Sequence, residues 1–90
     1  MFTFLEFIFE LRRLRVYTLD LMANQNTVRH EEIDDLFDQL DFILLQIELD
    51  MTYIQSLIIN DPHRRSDYKE LKLQSLIDYI EILIAIFDKA

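Results

Sequence analysis

His30, Glu31 and Asp34 are the residues whose types and spacing come nearest to metal chemistry in this chain. His30 and Asp34, four apart, share one face of a helix, and an imidazole with two carboxylates could hold a divalent cation. The set stands alone, however. Carboxylate-bridged bundles repeat a Glu-x-x-His pair on two helices, and helical zinc proteases place two histidines around a glutamate; neither pattern occurs. The cluster therefore reads as charge at a helix start, and no metal is expected. His63, beside Arg64 and Arg65 at a turn, reads as a surface histidine.

Other chemistries fall away by composition. The 90 residues contain no cysteine and no glycine, which removes thiolate sites and the glycine loops that cradle phosphates. Ser56, Ser66 and Ser75 have no histidine at a spacing that suggests activation. The carboxylates line a wet strip instead of occupying contrasting environments, so acid–base division between them is not expected. Tyr17, Tyr53, Tyr68 and Tyr79 read as interface or core-edge residues. The expectation is a non-enzyme without cofactors.

The elements that carry these residues are helices. From His30 to Asn60, Ile33, Leu40, Ile47 and Ile54 recur every seven residues, with Leu36, Ile43 and Leu57 three positions on and Phe37, Leu44, Met51 and Ile58 beside them. This predicts a long central helix over about 28–59, with Thr27 or Asn26 as its cap. Asp50 interrupts the stripe, either at its solvent edge or as a buried group fixing register. A first helix is expected over about 2–23, with Phe4, Phe7, Ile8, Leu11, Leu14, Thr18 and Met22 on one face. A third is expected over about 67–88, with Leu73, Leu76, Ile77, Ile80, Leu83, Ile84 and Phe87 inward and Ser66 or Asp67 as cap. The polar break at Asn24–Thr27 and the Asp61-Pro62 turn separate them. The fold class is all-α: one domain, an antiparallel up-down-up three-helix bundle with a long central helix, expected to assemble into a homodimeric bundle.

The formal charge is −8, and its placement matters more than its size. No lysine or arginine lies between Arg29 and Arg64, whereas Glu31, Glu32, Asp34, Asp35, Asp38 and Asp41 form an acidic surface on the first half of helix two. Such a field argues against direct nucleic-acid binding, which needs basic stripes. A short connection between helices one and two brings Arg12, Arg13 and Arg15 alongside Asp35, Asp38 and Asp41, so cross-helix pairing is expected there.

Each helix also carries a second apolar set. Phe2, Leu5 and Phe9 on the first, Phe42, Leu45 and Leu49 on the second, and Tyr79, Ile82 and Ile86 on the third exceed what one small core requires. These nine are the expected interface with a second copy or another protein. The function expected from this is a protein–protein interaction module, a small acidic regulator or inhibitor that homo-oligomerises. The alternative is an acidic nucleic-acid mimic whose carboxylates from Glu31 to Asp41 block a DNA- or RNA-handling protein. The apolar N-terminal segment is too short, and interrupted by Glu6, to span a bilayer. With no secretory pattern and no cysteine, a cytoplasmic location without membrane contact is expected.

Overall fold

The computed structural model describes residues 3–46, 56, 58 and 60–88, and every regular element among them is helical. α1 spans Phe4–Ala23, α2 His30–Leu45 and α3 Lys69–Phe87, with a 3-10 turn at Pro62–Arg65 before α3. The three-helix, all-α arrangement is the one the periodicity predicts.

Each helix start shows which local force sets the boundary. The Thr3 hydroxyl accepts the Glu6 N–H at 3.2 Å and so caps α1. α2 begins later than the Asn26–Thr27 cap expected from residue types. Arg29 is the capping position, and the Glu32 carboxylate accepts its N–H at 3.2 Å. Val28 and Ile33, which bracket this cap, are both buried, a hydrophobic staple that fixes the chain's angle of entry. Burial of Val28 outweighs capping by Thr27, whose hydroxyl instead donates to the Asn24 carbonyl. At α3 the Ser66 hydroxyl accepts the Tyr68 N–H, and Tyr68 takes the capping position expected of Ser66 or Asp67.

Two expectations need correction. α2 does not run on unbroken: it ends at Leu45, where the Gln46 N–H turns back to the Ile43 and Leu44 carbonyls. Of the continuation towards Ile59 only Ser56 and Ile58 are described, both helical, and Ile58 is fully buried. The Asp50 question lies outside the described residues.

The direction of α3 also differs from the expected up-down-up order. The Phe4 and Phe7 rings at the start of α1 meet Phe87 at the end of α3, at centroid distances of 6.4 and 5.1 Å. Gln25 and Asn26, just past α1, line a hollow with Asp67–Leu71 at the start of α3. The two helices are thus antiparallel, whereas an up-down-up order would set the first and third parallel. In the same sense, Lys72 near the start of α3 lies beside Asp34 near the start of α2.

Inside, Phe7, Leu11 and Leu14 from α1 meet Ile33, Phe37, Leu40 and Leu44 from α2 and Leu73, Leu76, Ile80 and Leu83 from α3. Full burial of such side chains contributes about 1.5–3 kcal/mol each. Thr18 is sealed among them, and its hydroxyl donates to the Leu14 carbonyl at 2.8 Å. A buried hydroxyl satisfied within its own helix costs little. α1 packs more extensively against α3 than against α2.

Candidate functional site

The acidic face of α2 is met by cations, but not by those expected. Lys72, 4 % exposed, reaches Asp34 with its Nζ 2.8 Å from Oδ1. Its Nζ also lies 3.5 Å from His30 Nδ1. Arg64, from the 3-10 turn, donates to Asp41 at 2.8 Å and lies 3.8 Å from Asp38. Its guanidinium sits 5.0 Å above the Phe37 ring, a cation–π placement that keeps the charge over the core's edge.

The pairing of Arg12, Arg13 and Arg15 with Asp35, Asp38 and Asp41 is therefore corrected. Arg12 bonds Asp88, the residue that caps the end of α3, at 2.7 Å and Arg15 bonds Glu81 on α3 at 3.3 Å, while Arg13 holds Glu10 within α1. Arg12 and Arg15 lie on the side of α1 turned to α3. Loop length alone gives adjacency of α1 and α2 and does not give this rotation. Asp35 accepts from Gln39 at 3.3 Å.

A second polar group, which the sequence did not single out, links the 3-10 turn to α3. Ser75 donates to Asp61, and Asp61 also accepts the His63 N–H at 2.9 Å. Burial alone would raise the Asp61 carboxyl. Hydrogen bonds from Ser75, the His63 backbone and Tyr79, with the nearby His63 charge, outweigh it and hold the group below its ordinary value. Burial pushes the Tyr79 hydroxyl up to about 12, aided by its hydrogen bond to Asp61 and by the charges of Asp61 and Asp78. This arrangement locks the turn onto α3. Asp61 also lines a small open hollow with Asn60, Pro62 and Arg65. Among the described residues, no three His, Asp or Glu side chains are placed to hold a metal, and no helix is long and apolar enough to cross a membrane.

The nine expected interface residues divide three ways. Phe2 and Leu49 lie outside the described residues. Tyr79 is half-buried against the core and tied to Asp61, so it belongs to the interior seam. The other six are exposed: Leu5 (80 %) and Phe9 (65 %) on α1, Phe42 and Leu45 on α2, Ile82 and Ile86 on α3. They do not form one surface. Phe42 lines a groove between α1 and α2 with Glu10, Arg13, Asp38, Gln39 and Ile43. Ile82 and Ile86 flank α3 on a different side from its contacts with α1. Leu5 and Phe9 share the outward face of α1 with Val16 and Leu19, which are also exposed. Leu19 was missed by the sequence reading, although its spacing from Val16 would have found it. Compared with known proteins, the chain matches no family model, no curated protein and no solved structure.

Proposed function

We propose that this chain is a non-enzymatic interaction module, a small acidic regulator that self-associates through apolar helix faces left outside its own core and acts by binding another protein. The observation that carries the reading is the outward face of α1. Leu5, Phe9, Val16 and Leu19 are exposed although, among the described residues, Phe7, Leu11 and Leu14 of the same helix are buried in the core. Scattered exposed leucines need no explanation, but an apolar row along one helix face, here interrupted only by Arg12, supports an association surface.

The nucleic-acid-mimic reading draws less support from the same charges. A phosphate imitation needs carboxylates that face a partner unpaired. Asp34, Asp38 and Asp41 are met by Lys72 and Arg64, and Glu32 is drawn back to the start of its own helix.

Light scattering on a sizing column, at low and at high salt, tests the choice. The module reading expects a mass above that of the 11.0 kDa protomer in both buffers, because apolar contact is insensitive to screening. A clean monomer at all concentrations would contradict self-association.

A further inference from the structure

The outward face of α1 has more order than exposure alone shows. Leu5, Phe9, Arg12, Val16, Leu19 and Ala23 are spaced 4, 3, 4, 3 and 4 residues apart, the seven-residue repeat that keeps one seam facing a partner helix. All six are exposed. The seam lies opposite the buried positions Phe7, Leu11, Leu14 and Thr18 of the same helix, so a second helix can lie along it without disturbing the core.

The flanking charges decide what that helix is. In a parallel pair of copies, Arg12 would face Arg12. An antiparallel pair setting Leu5 against Ala23 brings Glu6 towards Asp20, and Arg13 towards Arg13. Two antiparallel registers avoid both conflicts. Setting Val16 opposite Leu19 brings Arg13 towards Asp20 but leaves Leu5 and Phe9, the most exposed apolar side chains of α1, uncovered. The other sets Leu5 opposite Val16 and Phe9 opposite Arg12, and covers them. It places Glu6 of each copy nearest Arg13 of the other, twice by symmetry. Glu6 is exposed, and the Arg13 guanidinium, which donates to Glu10 through Nε and one Nη, keeps half of the side-chain surface free for a second carboxylate. Arg12, bound to Asp88 and still 60 % exposed, can lay its methylene stem against the facing Phe9.

Resting on the self-association reading above, we infer that the partner at this face is a second copy of the chain, docked antiparallel along α1 in the register that pairs Leu5 with Val16 and Glu6 with Arg13. In this register α1 of one copy overlaps α1 of the other from Phe4 to Tyr17, a footprint of about 20 Å by 10 Å. That is well below the ~800 Å² per partner of a standard interface, so the dimer is a weak one that dissociates on dilution.

Because the chain has no cysteine, crosslinking reads this register directly. Leu5→Cys and Val16→Cys variants, one carrying a mass tag, are oxidised alone and as a mixture, with helical circular dichroism checking that each folds. The expected result is a covalent Leu5→Cys/Val16→Cys heterodimer in the mixture at least tenfold above either homodimer. Homodimers of each variant alone would show parallel pairing and overturn the register. No crosslink, with a wild-type dimer still seen by light scattering, would place the interface elsewhere and leave self-association standing. A wild-type monomer would remove both. In a second arm, Arg13→Glu weakens the dimer and Glu6→Arg with Arg13→Glu restores it; an unchanged dimer in the single variant would contradict the charge pairing.

Discussion

Two faces of this molecule use similar residues to opposite ends. Between α2 and α3, Asp34, Asp38, Asp41 and Asp61 each have a partner on another element, and Lys72 and Arg64 are drawn in towards the core. On the outward face of α1, Leu5, Phe9, Val16 and Leu19 are exposed. The first face is closed by the chain itself, and its charges fix how the turn and α3 sit. The second is regular and left open. The charges between α2 and α3 are thus used in orienting the chain's own elements, and the exposed apolar row on α1 is where the proposed association would lie.

Removing the shared foundation of the inner face gives the largest effect. Phe37 is fully buried beneath Arg64, so Phe37→Ala should cost about 3–5 kcal/mol in urea unfolding. A loss under 1 kcal/mol would show that the seam does not rest on this ring. The ion pair itself is asymmetric. Asp34→Ala strands a buried ammonium and should cost about 2 kcal/mol, whereas Lys72→Met leaves only an exposed carboxylate and should stay within ~1 kcal/mol of wild type. Equal losses would contradict that ordering.

The Asp61–Tyr79 contact should appear in the pH dependence. Tyr79 has its folded-state pKa raised from 10.0 to about 12. Its contribution is therefore complete below pH 10 and disappears as pH rises from 10 through about 12, on the order of 1–2 kcal/mol after allowance for partial exposure. Tyr79→Phe should flatten this alkaline limb. Asp61 has its pKa lowered from 3.8, so its contribution is present above that pH and is lost as pH falls through the lower folded value. Asp61→Asn should lose stability at neutral pH and converge on wild type in acid. The smallest stability effect belongs to the outer face: Phe9→Glu should leave the monomer within about 0.5 kcal/mol while lowering the mass in solution.

The sequence made the helices legible because Ile33, Leu40, Leu73 and Ile80 repeat at the period of a buried stripe, and these residues are fully buried. It also separated Leu5 and Phe9 from the core face of α1. It did not reveal the stop at Leu45, since the apolar spacing continues past it and no glycine or proline marks the end. The ion pairs were unreadable for a related reason: Arg64 lies 23 residues from Asp41 and Lys72 lies 38 from Asp34, and only the packed arrangement of α2, the turn and α3 brings them together. Val28 likewise moved the start of α2 through burial, which capping preferences do not encode.

The central claim is that α1's outer face is an association surface. Light scattering over a hundredfold range of concentration, for wild type and Phe9→Glu in parallel, tests it most directly. The expected result is a wild-type mass rising from protomer to dimer with concentration, and a variant that stays at the protomer mass throughout. Identical curves for the two proteins, whether both monomeric or both dimeric, would contradict it.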